Sequence, residues 1–377
     1  MDFEFSDDQN SLRDAVSRWV DKGFSFERRH GLAQAGGATR AVYGELAELG
    51  LAGLVIPDAH GGMGFGPVEA MVVMEELGRG LVNAPYADAA LVSVALLADA
   101  LPGVQAAWLT KMADASALVV PALLERGGRY ALNRVTTKAT NTAAGWVLQG
   151  AKSVVPAGDE ADAFLVPARV SGADSDTTGI ALFVVEKGAK GTEVRGIATQ
   201  DGARVAQLNL HNASATLAVP EAWATLERAG DVGIAAACAE AVGLMERMVA
   251  VTVEYMNTRK QFGVPIASFQ ALRHRMADVK MQLELGRSMS YFASLKLGEP
   301  AAARRRALSQ AKVQLGQSMR FVGQQCIQLH GGIGVTDEYI AGHIFKRLTM
   351  LEMSHGDTLH HLGEVSARMQ DTAGVFC

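Results

Sequence analysis

The sequence predicts a mostly helical α+β protein in three parts: an N-terminal helical domain at 1–112, a middle β domain at 113–222 and a C-terminal helical bundle at 223–377. Three observations predict it. Hydrophobic residues make up 49% of the 377-residue chain while aromatics make up only 6%. The core is therefore aliphatic and alanine-rich, a composition that suits close-packed helices. Prolines are scattered from Pro57 to Pro220 and afterwards occur only at Pro265 and Pro300, so 221–264 and 301–377 are free to form long uninterrupted helices. The hydrophobic period also changes twice along the chain.

In the first part Leu12, Val16, Trp19 and Val20 share one helical stripe, and Asp7 and Asp8 favour the helix start. A second helix is expected around Val42–Leu49. The turn segment His60-Gly61-Gly62-Met63-Gly64 follows Leu54-Val55-Ile56-Pro57. Helical spacing resumes over Val68–Leu77 and is expected to end at Gly78 and Gly80. In the middle part Trp146-Val147-Leu148, Ala163–Val166, Ile180–Val185 and Gln207–Leu210 read as short strands separated by turn residues. Helical spacing returns with Leu244, Met248, Val251 and Tyr255, then Leu283, Met289 and Leu295.

A net charge of -5 argues against a nucleic-acid binder, which needs a concentrated basic face. The one basic run, Arg304-Arg305-Arg306, reads as a solvated helix start. Cys238, Cys326 and Cys377 lack metal-ligand spacing and suit a reducing compartment, as two buried thiols and a loose terminal one. The acidic beginning MDFEFSDDQ is unlike a signal peptide, and no apolar run approaches the roughly 20 residues needed to cross a bilayer. A cytoplasmic location, without membrane insertion, is the expectation.

Two segments carry candidate chemistry. Arg259-Lys260-Gln261-Phe262-Gly263 follows a long helix, with Gln270 eleven residues beyond Arg259. A guanidinium clamps a pyrophosphate and a glycine permits close approach, although an Arg-Lys pair at a helix end also serves simply to complement the dipole. Further on, Gln328-Leu329-His330-Gly331-Gly332-Ile333-Gly334-Val335 places glycines whose backbone N–H groups suit phosphate oxygens, or an ordinary turn.

Together, in this order, these segments resemble the acyl-CoA dehydrogenase family. Leu51–Gly64 and Glu75-Glu76-Leu77-Gly78-Arg79 add to the likeness, which covers nearly the whole chain. The resemblance implies a helical domain, a middle β-barrel-like domain and a C-terminal four-helix bundle. It implies FAD as cofactor, an acyl-CoA substrate desaturated between its α and β carbons, and electron-transfer flavoprotein as a partner. It further implies that Arg259, Phe262, Gln270, Gln328, Gly331, Gly332 and Gly334 contact FAD from across a subunit interface.

Two departures stand out. Counting from Gln328, Ser354-His355-Gly356-Asp357 occupies the place of the family's Tyr-Glu-Gly-Thr, so His355 replaces the glutamate base. The alternative base position, on the helix before Arg259, is Gly233, with Asp231 the nearest carboxylate upstream. His355, Asp357 and Asp231 are thus the candidate bases. In the middle domain, Lys152-Ser153-Val154-Val155-Pro156-Ala157 stands where the family has a hydroxyl residue that bonds the flavin, and Val155 and Pro156 cannot donate that bond. This asymmetry resembles pimeloyl-CoA dehydrogenase small subunits and heteromeric α2β2 dehydrogenases of steroid side chains. It leads to the expectation of a homologous partner subunit that supplies the base. A self-sufficient enzyme with an atypical base and a catalytically silent subunit are the alternatives.

Overall fold

The architecture comes from a computed structural model, which describes residues 5–369; Cys377 lies outside them. In chain order the helices are α1 (Asp7–Gly23), α2 (Phe26–Gln34), α3 (Arg40–Glu48), α4 (Pro67–Arg79), α5 (Ser93–Leu97) and α6 (Pro102–Ala113). Seven strands follow: β1 (Val119–Pro121), β2 (Lys138–Thr142), β3 (Gly145–Pro156), β4 (Ala163–Arg169), β5 (Ile180–Glu186), β6 (Thr192–Ala198) and β7 (Arg204–Val219). Then come α7 (Trp223–Thr258), the short strands β8 (Lys260–Gln261) and β9 (Val264–Pro265), α8 (Gln270–Lys296), α9 (Ala301–His330), α10 (Ile340–Met353) and α11 (Thr358–Ala367). Contacts divide the chain into two compact units.

The first unit holds the chain up to Arg29, Pro67–Val82 and everything from Ile234 onward. Ser6 opens α1 with a reciprocal capping box to Gln9. Val16 and Val20 bury one face of that helix. The core of the unit is aliphatic and sulfur-bearing: Leu244, Met245 and Met248 of α7 meet Leu283 of α8, Leu308, Leu315 and Met319 of α9, and Ile344 and Leu348 of α10. Gly78 does not end α4, contrary to the sequence expectation. It stays helical because α7 crosses there at backbone contact, and a Cβ on Gly78 would lie 2.1 Å from the carbonyl oxygen of Glu240. Gly243 makes the reciprocal approach, 1.8 Å from the carbonyl of Glu75. Nor is the basic run at the start of α9 wholly solvated: Arg304 is buried and bonds the carbonyl of Glu299 at 3.4 Å.

Glu75 is carried by α4 into this unit's interior. Arg13 approaches its carboxylate at 3.1 Å and Arg287 at 3.8 Å. Burial nevertheless pushes its carboxyl up to about 7, against the pull of the two arginines.

The second unit holds His30–Gly66 and Asn83–Gly233. Its strands form a ring. β4 pairs antiparallel with β5, β5 with β7, β7 with β3 and β3 with β2. β2 returns to β4 through the single parallel register pair Lys138–Arg169. β1 adds to β4 and β6 to β7. β4 is buried throughout its length, which suits its near-continuous apolar sequence. Arg169 ends that strand with all its donors on backbone carbonyls, those of Val135, Asp176, Thr178, Asn133 and Asp174. One guanidinium thereby pins two loops.

Inside the same unit Glu125 and Lys152 form a buried ion pair of 2.7 Å. The Glu125 carboxylate also accepts from the backbone N–H and hydroxyl of both Thr136 and Thr137. Burial alone would raise its pKa, but the Lys152 charge and these bonds outweigh it and hold the carboxyl at about 2. Lys152 has only that one carboxylate, so burial dominates and draws its pKa down to about 8. The glutamate is the better-stabilised half, and both groups are ionised at neutral pH.

Two outcomes are expected. Lys152→Met strands a buried carboxylate and should cost about 3–5 kcal/mol in chemical denaturation, whereas Lys152→Met combined with Glu125→Gln should lose clearly less. For Glu75, the folded pKa of about 7 exceeds the unfolded value of 4.5. Its stabilising contribution is therefore complete below pH 4.5 and lost as pH rises through 7. Glu75→Gln should remove that dependence, so its stability relative to the parent improves by on the order of 2 kcal/mol between pH 5 and pH 8.

Candidate functional site

The candidate phosphate-binding side is built at one end of the first unit. α7 stops at Thr258, whose hydroxyl bonds the carbonyls of Glu254 and Tyr255. The chain then turns through a tight hairpin, β8 against β9, with Phe262 and Gly263 both at positive φ (53 and 83°). That is the backbone of a two-residue primed turn, which a glycine at the second position favours. Phe262 is 91% exposed at its tip. Arg259 is exposed, and its guanidinium makes no ion pair or hydrogen bond among the described residues. Gln270 opens α8, also exposed.

The Gln328–Val335 segment comes to the same place. Met256, Ile266 and Leu329 form a small core that joins the end of α7, the stretch after the hairpin and the end of α9. Tyr255 stacks on His330, ring centroids 4.7 Å apart, and Tyr339 lies 5.1 Å from the same imidazole. Gln328, Gly331 and Gly332 are exposed, and Gly331 has φ 63° and ψ -140°, a conformation essentially reserved for glycine. No atom stands within 4 Å of a Cβ built on Gly331 or Gly332, so the backbone there is open to a ligand. Gly334 differs. It is buried, and a Cβ would meet His330 at 2.9 Å and the carbonyl of Ile327 at 3.1 Å. Its lack of a side chain is needed for packing.

The candidate flavin-ring side lies in the second unit, on β3. Register shifts between Lys152 and Val155, where Val154 adopts φ 53° and is 55% exposed. Val155 is fully buried. The nearest hydroxyls are engaged elsewhere: Ser153 bonds the Leu124 carbonyl, and Thr136 and Thr137 bond Glu125. This stretch carries a strained bulge that exposes Val154 and has no unengaged hydroxyl among these neighbours.

Comparison with known proteins gives the family. Profiles of the acyl-CoA dehydrogenase N-terminal, middle and C-terminal domains match residues 6–116, 121–213 and 223–370. The chain is 32% identical over 305 residues to acyl-CoA dehydrogenase IpdE2 of Mycobacterium tuberculosis, covering 80% of this chain and 77% of that one. It belongs to the acyl-CoA dehydrogenase family. Among solved structures it is similar to a chain of the ChsE4–ChsE5 complex from Mycobacterium tuberculosis, with 27% identity, TM-score 0.87, and 99% and 100% of the two chains covered. A Tcur3481–Tcur3483 steroid ACAD variant is similar at 26% identity, TM-score 0.87, covering 97% and 99%.

Members of this family are flavoprotein oxidoreductases that use FAD to desaturate acyl-CoA thioesters. Bound FAD supplies the hydride acceptor. In this chain the phosphate side fits such a group: a free exposed guanidinium, two amide side chains and an unobstructed pair of glycines. On the candidate ring side the hydroxyls of Ser153, Thr136 and Thr137 are engaged elsewhere. Among the described residues no helix is long and apolar enough to cross a membrane.

The three candidate bases have different surroundings. Asp231 is buried on α7. Asp357 caps α11, its carboxylate accepting the N–H of His360 at 2.8 Å. His355 stands in the turn between α10 and α11 at φ 54°, exposed, with no hydrogen bond to its imidazole among the described residues. Although the residue as a whole is exposed, the atoms crowded around its ring, and then the positive charge of Lys312, lower its pKa, and the ring is neutral at physiological pH. His360 and His361 lie beside each other, ring centroids 5.1 Å apart, and His361 donates from Nε2 to the carbonyl of His355 at 2.9 Å. A polar cluster thus stands at this end of the bundle, and His361 braces the turn.

Sequence reasoning did not single out Lys312, and it met Lys152 and Glu75 only as members of longer motifs, without a buried charge assigned to either. For Lys312 a signal existed: it falls on the apolar stripe of Leu308, Leu315 and Met319, where a lysine must have a buried partner. Capping and proton abstraction make different demands on Asp357. Asp357→Asn keeps a good cap and should leave melting temperature and turnover close to the parent, while Asp357→Ala should cost about 1 kcal/mol. Loss of turnover by orders of magnitude in the asparagine variant alone would make Asp357 the base instead.

Proposed function

We propose that this chain is one subunit of a heteromeric FAD-dependent acyl-CoA dehydrogenase whose homologous partner supplies the catalytic base. The observation that carries the reading is an asymmetry. Arg259, Gln270, Gln328, Gly331 and Gly332 are exposed and unobstructed, whereas Val154–Pro156 has lost the flavin hydroxyl and His355 replaces the glutamate. On this reading Arg259, with Phe262 and Gln270 beside it, binds FAD held mainly by the partner. The likeness to a chain of the ChsE4–ChsE5 complex supports a heteromer, and the likeness to a steroid ACAD supports an acyl-CoA with a fatty or steroid side chain. Electron-transfer flavoprotein is the proposed electron acceptor, and the cytoplasm the proposed location.

Expressed alone, the chain should hold far less than one flavin per chain and show little dye-linked turnover; co-expression with the homologous subunit should restore both. In the complex Arg259→Ala should weaken FAD retention about tenfold or more, since a charge-assisted bidentate contact contributes about 1.5–3 kcal/mol. Full flavin content and activity in the isolated chain would sink the partner requirement.

A second reading has one specific observation in its favour: the His355 imidazole is exposed, unbonded and neutral, the state a general base requires. If His355 is that base, His355→Gln lowers turnover by several orders of magnitude; if the partner supplies it, turnover of the complex changes little.

A further inference from the structure

Lys312 lies on α9 and is 1% exposed. An ammonium group in that position is costly unless it finds acceptors. It finds them at the end of α10, where its Nζ donates to the carbonyls of Leu351 at 2.7 Å and Glu352 at 2.9 Å. These are among the last carbonyls of a helix and form the negative end of its dipole; that of Leu351 also accepts the N–H of Ser354 at 3.2 Å.

Other groups face the same ammonium from each neighbouring element. Cys238 of α7 is a neutral thiol, pushed up to about 12 by burial. Glu352 of α10 turns its carboxylate to Thr358, at 3.1 Å from its N–H and 2.6 Å from its hydroxyl, and to Arg320 at 3.2 Å. Asp357 caps α11, and His360 and His361 follow on that helix. His361 places Nε2 on the His355 carbonyl and Nδ1 3.3 Å from the Ser309 hydroxyl. Gly356 has φ 107°, and a Cβ there would lie 2.5 Å from the His361 ring. The 354–357 turn is thus tied at its start by Lys312, in its middle by His361 and at its end by Glu352 and Asp357.

We propose that Lys312 is a positioning residue for this turn: bonded to the final carbonyls of α10, it fixes where His355 stands and faces that imidazole with a buried cation. The brace deepens the reading given above, because the turn occupies the place of the family's glutamate; its functional weight rests on that reading, but its existence does not. Burial draws Lys312 down to about 8, with Cys238, Glu352 and Asp357 opposing, so it remains largely a cation at pH 7.

The test uses the full chain alone, without flavin or partner, so its result is independent of the proposed heteromer. Histidine 15N NMR, with His355→Asn to assign the signal, should show the parent His355 titrating well below 6.5. Lys312→Met should raise that midpoint, because it removes the positive charge that opposes protonation. It should also speed amide exchange over 354–358 at least tenfold while the centre of α9 is unchanged. An unmoved midpoint with unmoved exchange overturns the proposal. Should Lys312→Met not fold, Lys312→Gln decides by the same two readouts: a midpoint and an exchange rate that both stay unmoved overturn the proposal, and a raised midpoint with faster exchange over 354–358 supports it.

Discussion

The first unit depends on backbone contact between α4 and α7. Gly78 and Gly243 leave no side chains at the crossing, and the carbonyls of Glu240 and Glu75 occupy the space a Cβ would need. Helices this close cannot separate to accommodate a methyl group without shifting their other partners. The same contact brings Glu75 toward Arg13 and Arg287. It leaves Glu240 in register for its paired bonds to Arg347, at 2.6 and 2.8 Å. The crossing therefore sets both the packing of α4 on α7 and the docking of α10.

Charge is handled in two ways. In the interior, three ionised groups are matched by geometry: Glu125 takes bonds from Lys152 and two threonines, Arg169 saturates itself on five carbonyls, and Lys312 closes the end of α10. At the candidate phosphate side, Arg259 is left exposed and unpaired among the described residues. Buried groups that are fully bonded hold loops in place. An unpaired guanidinium beside an open glycine pair holds nothing within its own chain and is suited to an external anion. The contrast separates groups that build the structure from those available to a ligand.

Much of the architecture was legible in the sequence. Of the seven strands, β3, β4, β5 and β7 were recognised from their period and β1, β2 and β6 were not; β3 and β7 are longer than the apolar runs that marked them, because their solvent-facing and bulged residues carry no period-2 signal. Gly78 was misread because a glycine at the end of an apolar stripe looks like a stop signal, and only a crossing helix reveals it as a contact point. The candidate phosphate residues were legible as two motifs. Their meeting through Met256, Ile266 and Leu329 was not, since Leu329 lies 73 positions after Met256 (329 − 256) and local pattern says nothing of such contacts.

The amino-acid sequence by itself determined the family, the order of helical and strand segments, and the absence of a glutamate from the expected place. Those follow from local chemistry: period, turn residues and motif spacing. Only the tertiary structure decided what surrounds that place. It shows His355 in a left-handed turn whose ends are tied by Lys312, His361, Glu352 and Asp357, and Asp357 occupied as a helix cap. These roles arise from helix ends brought together by packing. A carbonyl without a partner in its own helix has no signature in the sequence until another helix presents the donor.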